Sequence, residues 1–177
     1  TRTRHRKKGM TALQAAILTG VSIAVALIVG YWIWTVVVGS IRTERLTLTI
    51  PSARFTNHLE NEGLGDTNFA TLNGQGWVVT LTITNNGPSA TTITDIRING
   101  VSIADYDNGE VEVLIQVGDN NPVQWTPEQQ NEVHIDAGQQ ASVAIGLSNA
   151  QFNAGQTVEI TFITAANQVY TSSVALP

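Results

Sequence analysis

The stretch RKKGMTALQAAIL, residues 6–18, places a change of chemistry at one glycine. Arg2, Arg4, Arg6, Lys7 and Lys8 put five of the chain's nine basic residues into its first eight positions. Gly9 follows, and from Met10 to Ile41 there is no Asp, Glu, Lys, Arg or His. Thirty-two uncharged residues would span roughly 48 Å as an α-helix, more than the ~30 Å of a bilayer core. The basic block beside this run predicts a segment held in a membrane with its N-terminal end on the cytoplasmic side. Tyr31, Trp32 and Trp34 then fall at the outer interface, where Tyr and Trp partition, with Arg42 and Glu44 beyond them in water.

Within the run, Ala12, Ala16, Gly20 and Ala24 recur every four residues, and Ala26 and Gly30 repeat the interval on a neighbouring face. Small residues at this spacing let helix backbones approach closely, the usual route to association where water provides no driving force. The alternative is chance spacing in an Ala-rich segment. Gly20, Gly30 and Gly39 weaken a helix by up to about 1 kcal/mol each relative to Ala, which predicts bends or local melting at these points. A secretory signal peptide has an apolar part of only about 7–15 residues ending at a small-residue cleavage site, and that pattern does not fit.

The rest of the chain is different. It has four Arg, no Lys and fourteen acids, a net charge of about −10. Such a body does not suit the phosphate backbone of a nucleic acid. With no Cys, neither a disulfide framework nor a thiolate metal site is available. Charged residues are only 13% of the chain, so its surface can pack against copies of itself with few charges to desolvate.

From Glu44 onward the hydrophobic period is two. RLTLTI (45–50) alternates Leu46, Leu48 and Ile50 with Thr. WVVTLTIT (77–84) sets Val79, Leu81 and Ile83 against Thr80, Thr82 and Thr84, and TTITDIRI (91–98) repeats the pattern through Ile93, Ile96 and Ile98. Further strands are predicted at 111–117, 131–136, 140–148, 156–164 and 168–176, the last two forming a hairpin around AANQ. NNGPS (85–89), NG (99–100) and DNG (107–109) are turn signals. The Gly-, Asn- and Glu-rich stretch 56–75 reads as a long surface loop, and no helix signal follows residue 42. The fold class expected is therefore α+β: a long N-terminal hydrophobic helix, about Thr11–Ile41, followed by an all-β antiparallel sandwich of immunoglobulin-like type. The expected organisation is a basic leader at 1–9, the hydrophobic helix at 10–42 and a β-sandwich at 43–177.

Candidate chemistry is sparse. Asp105, Asp107 and Glu110 cluster in DYDNGE, but the glycine falls one place early for an EF-hand loop, and a solvated turn is the expected reading. His58 and His134 lack partners at metal spacing. No nucleophile elbow or phosphate loop is present. No enzyme activity, cofactor or metal is therefore expected. No Asn is followed two places on by Ser or Thr, so standard Asn-linked glycans are not expected either.

A basic block ending in Lys7, Lys8 and Gly9, followed at once by a long uncharged helix, resembles the class III signal peptide of type IV pilins. The resemblance implies that a prepilin peptidase cuts after Gly9 and makes Met10 the new N-terminus. AVALIVGYWIWTVVVGSIRTERLTLT (24–49), with its aromatic cluster running into a first strand, resembles archaeal type IV pilins. The β-rich segments resemble the outer domains of those pilins and of archaellins. Gln14 and Ala15 stand where bacterial members carry a Glu, which fits archaeal members better. The resemblance implies a structural filament subunit on the cell surface, inserted in the cytoplasmic membrane before assembly. Its partners would be many copies of itself, a prepilin peptidase and an assembly machinery with its ATPase, and adhesion is the usual use of such filaments. The competing reading is an uncleaved, single-pass, membrane-anchored β-sandwich, such as an archaellum-associated component that binds a surface layer.

Overall fold

A computed structural model describes residues 2–41, 44–125 and 132–177; within its helix, side chains are described from Thr11 to Val37. The chain divides into two compact units, Thr1–Arg42 and Thr43–Pro177. The first contains one element, the helix α1, Arg2–Ile41. It passes through Gly20, Gly30 and Gly39 without interruption, so the expected melting at glycine does not occur. The leucines, isoleucines and alanines between them favour helix, and the cost of about 1 kcal/mol per glycine is spread over eleven turns.

The second unit is an antiparallel sandwich. Its strands are β1 (Leu46–Leu48), β2 (Ser52–Thr56), β3 (Gly63–Leu64), β4 (Thr67–Asn68), β5 (Gly76–Asn85), β6 (Thr91–Ile98), β7 (Val101–Ser102), β8 (Val111–Val117), β9 (Val123–Gln124), β10 (Val133–Ile135), β11 (Gln140–Ser148), β12 (Thr157–Thr164) and β13 (Val169–Ala175). One sheet runs β1-β5-β11-β8-β9, with β2 also on β5, and the facing sheet runs β10-β6-β12-β13, with β7 on β6. Val79, Leu81 and Ile83 of β5 point between the sheets, with Val113, Ile115, Val143 and Ile145 beside them. Ile93, Ile96, Ile98, Val158, Ile160 and Phe162 meet them from the facing sheet. The alternation read from Thr and Ile thus sets which face is buried. Ile93 and Ile96, three apart, both face inward because the β6–β12 register shifts at Ile163/Thr164. The NG turn adopts positive φ at both Asn99 and Gly100, the backbone a tight hairpin requires.

Two expectations are corrected. The strand expected over 45–50 stops at Leu48. Pro51 cannot donate to the ladder, and pairing with β5 resumes at Ser52↔Thr80 after Leu48↔Ile83. Three residues therefore oppose two, a bulge bridged by Thr49, whose N–H donates to Thr82 O (2.9 Å) and whose Oγ1 accepts from Thr82 N (2.8 Å). Ile50 is turned outward and is 92% exposed instead of joining Leu46 in the core.

The stretch 56–75 is the second correction. It carries a 3-10 turn at Leu59–Asn61 and the small β3–β4 hairpin, and it buries Leu59, Phe69 and Leu72 on Val78, Leu114 and Ala144. It covers the outer face of the larger sheet. Glu112, 3% exposed, ties it down by accepting from Ala70 N, Thr71 N and Thr71 Oγ1, each at 2.8 Å. Glycines make room for it: a Cβ at Gly76 would run into Leu147 O and the Leu59 side chain, and one at Gly146 into Leu72. Arg54 grips Glu62 with both terminal nitrogens and holds its carboxyl below the ordinary range. The Glu60 carboxyl is lowered by its own backbone N–H and that of Gly74, with His58 adding to it.

Two outcomes follow. Leu72→Ala should destabilise the sandwich by about 2–5 kcal/mol in urea unfolding, the range for a buried Leu, where a surface loop residue would cost almost nothing. Because Glu60 and Glu62 titrate lower when folded, their contribution is present above the ordinary carboxylate pKa and fades as pH falls through their folded values. Amide exchange at Leu59 and Gly74, corrected for intrinsic rate, should therefore accelerate on acidification before exchange in β5 and β11 does.

Candidate functional site

The acidic and histidine side chains that the sequence singled out in the sandwich are engaged with near neighbours or lie apart. Asp107 N–H donates to Glu110 Oε2 (3.0 Å) and Gln151 Nε2 to Glu110 Oε1 (2.7 Å), so this turn closes on itself. Asp105 ends a separate 3-10 turn, Ile103–Asp105. His58 Nδ1 lies 3.0 Å from Glu60 Oε1, and His134 Nδ1 lies 2.7 Å from Thr92 Oγ1. Among the described residues no three metal-binding side chains converge.

The feature that calls for a partner is α1. Every described side chain on it, from Thr11 to Val37, is exposed, and this 27-residue window has a mean hydropathy of 2.3. Fifteen of these are large hydrophobics, spread over all sides of the helix. A helix apolar all round belongs in lipid or inside an assembly. At about 1.5–3 kcal/mol for each Leu, Ile or Val, leaving them in water costs more than the 5–15 kcal/mol that stabilises a typical domain.

The polar side chains of the segment are prepared for such surroundings. Thr19 Oγ1 donates to Ala15 O, Ser22 Oγ to Leu18 O and Thr35 Oγ1 to Trp32 O, each at 2.8 Å. These hydroxyls satisfy themselves on their own helix, which lowers the cost of removing them from water.

Because α1 is unbroken, the positions of the small residues are fixed by helical geometry. At 100° per residue, Ala12, Ala16, Gly20, Ala24, Ala26 and Gly30 fall within about 160° of arc. A Cβ added at Gly20 or Gly30 would meet nothing within 4 Å, so packing inside the chain does not demand glycine at either place. Tyr31, Trp32 and Trp34 are exposed near the far end. Lys7, Lys8, Gly9 and Met10 lie within the helical backbone of α1. The sequence had already singled out all of these residues. What it could not supply was that the backbone stays helical through each glycine, which makes the stripe one surface.

No family model matches the chain, and no curated protein does. Among solved structures, the archaeal flagellum of Methanospirillum hungatei strain JF1 matches 93% of this chain and 92% of its own at 14% identity, with a TM-score of 0.37. The "Iho670 Flagellar-like Filament" matches 92% of this chain and 98% of its own at 15% identity, with a TM-score of 0.36. Likeness at this level does not assign the chain to a family.

Gly20→Leu should lower the association state of the full chain in detergent, measured by analytical ultracentrifugation, to no more than a dimer, while the sandwich keeps its unfolding midpoint. An unchanged association state would show that the small-residue arc is not a contact.

Proposed function

We propose that this chain is the structural subunit of an extracellular archaeal type IV pilus that polymerises through α1. The observation that carries the reading is the helix: 27 consecutive exposed residues without a charge, with Thr and Ser hydroxyls bonded to their own backbone. In the membrane, lipid solvates this surface. In the filament, the same helix of neighbouring subunits replaces lipid, and the sandwiches form the outer layer. Transfer between these two apolar surroundings exposes little of the segment to water, so it need not oppose assembly.

The remaining assignments follow from the resemblance of the N-terminal motif. A prepilin peptidase would recognise Lys7 and Lys8 and cut after Gly9, leaving Met10 as the first residue. The cut removes the basic block that anchors the precursor to the cytoplasmic side, and an assembly ATPase would drive extraction. The chain itself performs no catalysis and holds no cofactor, and the filament serves adhesion at the cell surface.

The length of α1 supports a filament over a plain anchor. The apolar window Thr11–Val37 spans about 40 Å, beyond the ~30 Å a bilayer core needs. Tilting would accommodate the excess at fractions of a kcal/mol per Å, so an anchor gains little from it. In a filament each added turn buries more side chains against neighbours.

Mass spectrometry of the native protein should give Met10 as its N-terminus, and Gly9→Val should leave precursor in the membrane. An intact basic block in the mature, surface-located protein would favour the single-pass anchored reading instead. Val25 lies off the small-residue arc and is 53% exposed. Val25→Glu should still abolish filaments in electron micrographs, because a helix enclosed on all sides has no place for an unpaired charge, which costs several kcal/mol.

A further inference from the structure

The edges of the sandwich are not alike. The β1–β2 edge is broken by Pro51 and the Ile50 bulge and carries the Arg54–Glu62 pair. β9 is two residues long and follows Pro122. β10 has three residues, with His134 at its centre between Glu132 and Asp136. Short strands, prolines, bulges and charges are the ordinary devices that keep sheet edges from pairing with other chains.

β13 has none of them. VYTSSVA, residues 169–175, is seven residues long, with no charge and no proline, and among the described residues it pairs only with β12. Leu176 N–H donates to Gln156 O, and Thr164 N–H donates to Gln168 O. These bonds fix which residues turn toward β12: the even-numbered ones. The N–H and C=O groups of Val169, Thr171, Ser173 and Ala175 therefore point away from the sheet. Among the described residues no backbone group of another element bonds to them.

We propose that this edge pairs antiparallel with the same edge of a second copy of the chain, about a two-fold axis at Ser172. The sequence fits itself in that register. Val169 would face Ala175, Tyr170 would face Val174, Thr171 would face Ser173, and Ser172 would face its own counterpart. Apolar meets apolar at 169 with 175, hydroxyl meets hydroxyl at 171 with 173 and at 172 with 172, and the Tyr170 ring lies against Val174. The odd-numbered pairs, 169 with 175 and 171 with 173, are the ones whose backbone groups are free to exchange hydrogen bonds.

Charge at this edge does not oppose a second copy. The body is strongly acidic, so two copies meet best on a neutral strip. The nearest carboxylate on the sheet is that of Glu159 on β12, opposite Ser173. Across the joined sheet the two Glu159 side chains would stand about three strand spacings, roughly 14 Å, apart, beyond the Debye length in physiological salt.

The bulge gains a role in this arrangement. The β1–β2 edge runs beside β13: Leu46 N–H meets Tyr170 Oη at 3.4 Å, and Trp77 Nε1, whose ring packs against Phe55, donates to Pro177 O at 3.1 Å. Ile50 lies between these ties in the chain. The two-fold keeps both larger sheets on one side of the joined sheet, so the two bulges turn toward each other and offer an apolar partner for Ile50. A two-fold contact closes on itself and cannot extend a filament. Between assembled subunits it joins two filaments side by side, and this part rests on the proposed function.

The chain lacks cysteine, which makes the test clean. At the proposed axis the two Ser172 Cα atoms would be about 4.5 Å apart, within disulfide reach. Two Thr171 Cα atoms would be about 8 Å apart, beyond it. Full-length Ser172→Cys should give a disulfide-linked dimer on mild oxidation, and Thr171→Cys should not. A mixture of Thr171→Cys and Ser173→Cys chains should cross-link. Ile50→Lys should reduce the Ser172→Cys product severalfold. The same result is expected in the Val25→Glu background, where filaments are absent, so failure of the filament reading leaves this one standing. Equal cross-linking of Ser172→Cys and Thr171→Cys, or none from either, would overturn the proposed pairing.

Discussion

The constraint on which this molecule turns is that α1 cannot stay in water. Fifteen large apolar side chains on its uncharged stretch, Thr11–Val37, exceed in transfer free energy what holds a typical domain together. The helix therefore needs continuous apolar surroundings, and only lipid or other apolar protein can provide them. Backbone hydrogen bonding adds a second condition. Each N–H and C=O along the segment must be satisfied within the segment, which an unbroken helix achieves. The continuity of α1 through three glycines meets that condition, and the bonded hydroxyls of Thr19, Ser22 and Thr35 extend it to side chains.

The sandwich answers the opposite problem. It has to stay folded in water beside a segment that is insoluble there. Its main core lies between the two sheets, and a second core lies outside the larger sheet under the 56–75 segment. That second layer depends on one buried carboxylate. Glu112 accepts three hydrogen bonds from Ala70 and Thr71, and without them the charge would stand unpaired in an apolar setting. The packing also explains two glycines, Gly76 and Gly146, whose missing side chains leave space for Leu59 and Leu72.

The two surfaces suit different kinds of contact. α1 offers a non-directional apolar face on which packing of small residues sets the closest approach. β13 offers directional hydrogen bonds, and its unpaired groups are all on alternate residues. The two contacts use different residues, so neither consumes the other's surface.

The sequence by itself determined the division at Arg42, the helix before it, and the sandwich after it. Both are read from one-dimensional regularities: an absence of charge over 32 residues, and an alternation of period two that only a strand can turn to one side. The inward face of β5 was legible residue by residue for the same reason. Tertiary structure decided what depends on partners distant in the chain. That 56–75 is a packed layer follows from Leu59, Phe69 and Leu72 meeting Val78, Leu114 and Ala144, although the runs VEVLI and SVAIGL, apolar on both faces of their strands, already carried a trace of it. The outward turn of Ile50 was hidden because a bulge is a property of register against β5, not of the strand that contains it. That β13 is an open edge could not be read at all, since which strand ends a sheet is fixed only when every other strand has found its neighbours.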